Sequence, residues 1–193
     1  MDIARVLAQL EESAVLHERL KDLAPQIVDV ATLCVEALRG GKKLIFLGNG
    51  GSAADAQHLA CEMVVKFAFE RPALPAVALT ANSSVLTAAS NDLGFEQVFS
   101  RQIEALAVEG DVVFAISTSG TSPNVLAAAR AARERGCRLV ALTGERGEEL
   151  AVHCDVAISV PHGRPARIQE AHITIGHVVC DLVEASLYGE RGV

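Results

Sequence analysis

The side chains able to do chemistry gather in four short stretches. His58 and Glu62 stand four residues apart, so they share one face of any helix that carries them and can together hold a metal or move a proton. Neutral imidazole and carboxylate favour zinc or a similar divalent ion. Just upstream, Gly48-Asn49-Gly50-Gly51-Ser52 follows the apolar run Leu44 to Leu47. Small residues there allow a sharp turn and close backbone approach to a ligand, and the helix that follows starts with its amides free. A third stretch, Ser117-Thr118-Ser119-Gly120-Thr121-Ser122, sets five hydroxyls in six residues ahead of Pro123. Gly120 permits a tight turn, Ser122 is placed as N-cap and Pro123 as first helical residue, and such a loop binds phosphate without arginine. The fourth runs from Arg167-Ile168-Gln169-Glu170 through His172 to His177. Gln169 and His172 are i, i+3 neighbours, whereas Gln169 and His177 are separated by roughly 12 Å of helical rise. Spacing alone leaves both histidines open as partners of Gln169.

The elements that must position these groups alternate along the chain. Short, continuous aliphatic runs at Leu44 to Leu47, Ala76 to Leu79, Val112 to Ile116, Leu139 to Thr143 and Val156 to Val160 read as parallel strands buried on both faces. Helical stretches fall between them, near Ser52 to Phe67, Val85 to Asn91, Glu96 to Val108, Ser122 to Arg135 and Gly147 to Val152. A long final helix runs from Pro165 to Tyr188. The pattern predicts an α/β fold, a three-layer doubly wound five-stranded parallel sheet, with its ligands at the carboxyl ends of the strands. Residues 2 to 39 carry helical stripes, Val6, Leu7, Leu10 and Ala14 and then Ile27, Val30, Cys34 and Leu38. Pro25 opens the second of these helices and Gly40-Gly41 closes it. Having no place of their own in a parallel sheet, they are expected to form a surface for another copy of the chain. The expected organisation is one domain over 1–193, with an N-terminal helical extension over 1–40 and an α/β core over 41–193.

Composition removes several function classes. Half of the 193 residues are apolar but scattered in short runs, so no membrane span or membrane partner is expected, and the first residues lack the character of a secretory signal. A cytoplasmic location follows as the default. The net charge of −7, with one tyrosine and no tryptophan, argues against a nucleic-acid partner. Five cysteines, odd in number and far apart, form no disulfide or C-x-x-C pattern and are expected to be reduced core residues.

Taken in order, Gly48 to Ser52, Ala54-Asp55-Ala56-Gln57-His58 with Glu62, Asn91-Asp92-Leu93-Gly94-Phe95, Ile116 to Gly120, Ala141 to Gly144, and Arg167 to Glu170 through His177 resemble the sugar-isomerase (SIS) domain. More narrowly they resemble its sedoheptulose 7-phosphate isomerase family. The resemblance implies an aldose–ketose isomerase that makes the heptose 7-phosphate precursor of lipopolysaccharide core and related glycans. It also implies a homotetramer with sites between subunits, and one zinc per site held by His58, Glu62, Gln169 and His177. His177 rather than His172 is thus the ligand that the resemblance selects. In an isomerase Glu62 is the carbon-acid base and His177 its partner at the sugar oxygens. Phosphate is expected on Ser117, Thr118, Ser119 and Ser122. The sugar is expected at Asn49, Gly50, Gly51 and Ser52, with Asp55, Asn91 and Asp92 nearby.

Two positions depart from the family pattern. Lys66 replaces an arginine one turn after the glutamate, and Ala166 replaces an aspartate before Arg167. Related SIS proteins of similar length are instead non-catalytic adaptors for the bacterial replication initiator, or sugar-phosphate sensors. The adaptors lose the Glu62 and His177 pair, and a sensor has no need of Glu62.

Overall fold

The structure is a computed structural model and describes residues 2–189. Five parallel strands, β1 (Leu44–Gly48), β2 (Ala76–Ala78), β3 (Val112–Ser117), β4 (Arg138–Gly144) and β5 (Val156–Val160), form one sheet in the order β2-β1-β3-β4-β5. Strands β1, β3 and β4 are almost wholly buried because helices cover both faces, which is why their sequences are continuous rather than alternating. The register sets Gly48 beside Ile116 and Ser117 beside Thr143, so the glycine turn and the hydroxyl loop leave the same sheet edge side by side.

One face is covered by α2 (Ala24–Arg39), α3 (Gly51–Val64) and α8 (Pro165–Tyr188), which enclose Phe46, Phe114, Ile116 and Leu142. The other face lies under α4 (Ser83–Asp92), α5 (Ser100–Leu106), α6 (Pro123–Glu134) and α7 (Glu148–Ala151), around Ile45, Leu47, Val113 and Leu139. The aromatic rings of Phe46 and Phe114 stack across β1 and β3 with centroids 4.7 Å apart. Among the described residues no helix is long and apolar enough to cross a membrane.

The two N-terminal helices divide in a way that periodicity does not reveal. Helix α2 does cover the sheet and α8: Ile27, Val30, Ala31, Cys34 and Val35 are buried in the core. Helix α1 (Ile3–Arg19) contributes only Leu16 to it and leaves Ile3, Val6, Leu7 and Leu10 each more than half exposed. The expected stripe of α2 thus packs within the chain itself, whereas that of α1 stays exposed. The cysteine expectation needs a correction, since Cys61 is exposed and Cys154 half-buried, while Cys34, Cys137 and Cys180 are core residues. The helix expected to reach Phe67 stops at Val64, and the one expected over Glu96 to Val108 is a 3₁₀ turn followed by α5.

Candidate active site

Helices α3 and α8 lie side by side and level with one another. A Cβ built on Gly51 would fall 2.6 Å from the Gln169 carboxamide, and one built on Gly176 would fall 2.5 Å from Leu59 Cδ2. Seven or eight residues separate these two contacts on each helix, so the next side chains along, His58 and His177, meet as well. Their Nε2 atoms are 2.9 Å apart and their rings 5.0 Å apart between centroids. One nitrogen of that pair must carry the proton it donates to the other. Glu62 Oε1 is 3.3 Å from His58 Nε2, so His58 stands between the carboxylate and His177. The cluster faces outward: the side chain of His58 is 48% exposed and that of Glu62 22%. Phe67 closes one side, its ring 5.6 Å from that of His177.

The alternative histidine has a different duty. His172 is 1% exposed and faces the sheet, where its Nε2 lies 3.0 Å from the Thr143 carbonyl oxygen. Burial pushes its pKa down to about 4, against the upward pull of that hydrogen bond, so it is a neutral donor pinning α8 to β4. Its Nδ1 is buried without a partner.

At the sheet edge, Gly50 adopts φ +55°, and α3 starts on it with no side-chain cap. Asn49 exchanges two amide hydrogen bonds with Asn124, each 2.8 Å. Asn124 is 2% exposed and ties the first loop to the start of α6. Nothing in its spacing singled it out, because reciprocal pairing of two amides across β1 and β3 exists only in the folded chain.

The hydroxyl loop is knit together by its own groups. Ser117 Oγ lies 3.1 Å from Ser122 Oγ and accepts from the Gly120 amide at 3.2 Å, and Ser119 Oγ accepts from Thr121. Ser122 occupies the N-cap position as expected, yet its hydroxyl turns to Ser117 instead of capping α6. Gly120 has φ +68°, and a Cβ there would sit 2.5 Å from the Cα of Gly147, so only glycine suits this turn. Beyond the loop, Thr118, Ser119, Glu145, Arg146, His162 and Ile168 line a cavity of about 360 Å³.

Asp55, one turn before His58, is half-buried with Oδ2 shielded and unpartnered; burial raises its pKa, opposed by His58. Asn91 and Asp92 lie elsewhere. Asn91 donates to Asp92 at 2.7 Å on the exposed end of α4, in the layer opposite α3 and α8.

His58 stands within reach of both Glu62 and His177, so the cluster supplies two imidazole nitrogens and a carboxylate oxygen as donors. Ligands about 2.0–2.1 Å from a tetrahedral zinc stand roughly 3.3 Å from one another. The His58–Glu62 separation already has that value, and the two imidazoles need to part by only a few tenths of an ångström. Among the described residues no group of three such side chains yet stands in a metal-holding arrangement. Gln169 is not in the cluster; it rests on Gly51, about two turns nearer the sheet edge.

A parallel five-stranded sheet with a glycine turn after β1 and a hydroxyl loop after β3 defines a SIS domain, and the family profile described as SIS domain matches residues 10–144. The chain is 54% identical over 184 residues to the phosphoheptose isomerase of Pelobacter propionicus, covering 95% of this chain and 97% of that one. Among solved structures it is similar to the phosphoheptose isomerase of Neisseria gonorrhoeae, with TM-score 0.90 and 45% identity over 94% of this chain and 98% of that one. It is likewise similar to that of Francisella tularensis, with TM-score 0.91 and 35% identity over 95% and 98%. The chain belongs to the phosphoheptose isomerase family of SIS-domain proteins.

Proposed function

We propose that this protein interconverts sedoheptulose 7-phosphate and D-glycero-D-manno-heptose 7-phosphate, with Glu62 and His177 as its acid/base pair. The observation that carries the reading is the cluster itself: a carboxylate and two imidazoles, in contact and open to solvent, on the two helices that flank the glycine turn. The hydroxyl loop at Ser117, Thr118, Ser119 and Ser122 takes the phosphate, and Asn49, Gly50, Gly51 and Ser52 hold the sugar chain that leads to the cluster. Asp55 and Gln169 border that path.

In the open-chain ketose, the Glu62 carboxylate removes a proton from C1 as electrons move toward the C2 carbonyl, whose oxygen takes a proton from His177. The product is a cis-enediol. His177 then removes the proton from the C1 oxygen, and Glu62 returns its proton to C2, leaving the aldehyde. His58, in contact with both groups, relays and orients. His58, Glu62 and His177, with Gln169, would hold a zinc ion, which when bound would polarise the sugar oxygens. A carboxylate tightly held by a cation is a weaker base, so Glu62 is read as an exchangeable ligand.

The exposed apolar stripe on α1 supports assembly into a homotetramer, and the outward-facing cluster supports sites completed by a neighbouring subunit. A cytoplasmic location suits the free cysteines. The adaptor and sensor readings are not favoured, because Glu62 and His177 are both present and directed to one cluster. The test is turnover of sedoheptulose 7-phosphate by the purified protein beside Glu62→Gln and His177→Gln. Activity abolished in both variants is expected; an inert wild type with zinc supplied overturns the assignment.

A further inference from the structure

Behind the cluster, two charged side chains are buried together. Arg71 Nε lies 2.8 Å from Glu184 Oε1, and each side chain is only 2% exposed. The Glu184 carboxylate also accepts from the amides of Phe67, Ala68 and Phe69, at 3.0, 2.7 and 3.4 Å. The guanidinium donates to the carbonyls of Glu62 at 2.8 Å, Met63 at 2.7 Å and Pro72 at 3.1 Å, and lies over the Tyr188 ring. Burial alone would raise the Glu184 pKa, but the Phe67 and Ala68 amides and Arg71 outweigh it, and the carboxyl ends below its usual range. A buried ion pair is a poor way to gain stability, since an apolar pair of similar volume does as well or better. Its position here suggests another use.

Helix α3 ends at Val64, so the carbonyls of Glu62 and Met63 have lost their helical donors; Arg71 donates to both, and the Met63 carbonyl also accepts from the Leu74 amide. The segment after α3 folds round Glu184 with three successive amides, and this places the Phe67 ring against His177. Glu184 itself lies on α8 seven residues, two turns, past His177, on the same side of the helix. One buried pair thus holds the backbone of Glu62, the ring that packs on His177, and the two helices that carry them.

We propose that Arg71 and Glu184 are positioning residues for the isomerase reaction, acting on Glu62 through its carbonyl and on His177 through Phe67. This rests on the reading of Glu62 and His177 as the acid/base pair. Misplacement of reacting groups by about 1 Å costs on the order of a hundredfold in rate. The hydroxyl loop that takes the phosphate lies at the sheet edge and has no share in this network, so substrate affinity is spared.

The test compares wild type with Glu184→Gln, the apolar pair Arg71→Met/Glu184→Met, and Phe67→Leu, each assayed for sedoheptulose 7-phosphate turnover with the folded fraction measured by circular dichroism. The expected result is kcat per folded molecule down about 10- to 100-fold in the first two and about tenfold in Phe67→Leu, with KM within about threefold throughout. Should the charged-pair variants fail to fold, Phe67→Leu carries the test alone, because it leaves the ion pair intact. Wild-type kcat per folded molecule in Phe67→Leu or in the folded double variant overturns the proposal. An inert wild type overturns the underlying acid/base reading instead.

Discussion

Gly176 of α8 packs on Leu59 of α3, one residue from His177 and from His58, and Gly176→Ala tests whether that contact sets the candidate site. The added Cβ would stand 2.5 Å from Leu59 Cδ2, 2.8 Å from Cδ1 and 3.2 Å from Cγ, whereas carbons in contact prefer about 3.5–4.0 Å. Leu59 is 2% exposed, and the void beside it, lined by Phe46, Met63, Phe114 and Val179, is about 10 Å³, barely the room of one water. The leucine therefore cannot retreat, and the helices must part by about 1 Å. Overpacking of this kind costs about 3 kcal/mol, of which the better helix propensity of alanine returns about 1, leaving a net loss of about 2 kcal/mol. Because His58 and His177 adjoin the contact, kcat should fall on the order of a hundredfold. Leu59→Ala alone should cost about 2–5 kcal/mol, but Leu59→Ala/Gly176→Ala should cost at least about 1 kcal/mol less than the sum, since the new methyl enters the space left by the leucine. Urea unfolding gives the stabilities and turnover of sedoheptulose 7-phosphate gives kcat. A Gly176→Ala protein with unchanged midpoint and kcat, or strict additivity in the double variant, refutes the argument.

The buried His172 predicts an acid-sensitive fold. Its pKa is about 4 when folded and 6.5 when free, so between those values the unfolded chain binds a proton that the folded chain does not. Stability therefore falls as pH drops from 6.5 to 4, by up to about 3 kcal/mol from this group, and urea midpoints of His172→Gln should show a correspondingly shallower decline. On α1, Val6→Glu with Leu10→Glu should lower the mass measured by light scattering without altering the far-ultraviolet dichroism, because both side chains are exposed in the isolated chain; an unchanged mass would remove α1 from the assembly interface. Removal of divalent ions with a chelator should lower kcat at least about tenfold and zinc should restore it, with His58→Ala losing bound zinc by elemental analysis.

The three-layer parallel sheet and the two loops that leave its carboxyl edge, the glycine turn and the hydroxyl loop, were legible in the residues alone. Continuous aliphatic runs demand burial on both faces, and glycine or hydroxyl clusters at their ends have few uses besides tight turns and ligand contact. The pairing of His58 with Glu62 was legible too, because an i, i+4 spacing puts two side chains on one face whatever the helix packs against. Periodicity also found the stripes of α1 and α2, yet a stripe shows only that something covers it. For α2 that is its own sheet and α8; for α1 nothing among the described residues does so.

Tertiary structure alone decided which partners those faces met. His172 and His177 are equally plausible by type, but five residues of helix turn them to different sides, and only the packing of α8 shows that one meets the Thr143 carbonyl and the other His58. Gln169 matches the family ligand pattern in sequence, yet the absence of a side chain at Gly51 lets its carboxamide settle there, two turns from the histidines. Arg71 and Glu184 gave no signal at all: 113 residues apart, they look like ordinary surface charges until the chain end of α3 folds over α8. Local spacing determines which side chains share a face, whereas long-range packing determines what that face touches, and the candidate chemistry of this protein depends on both.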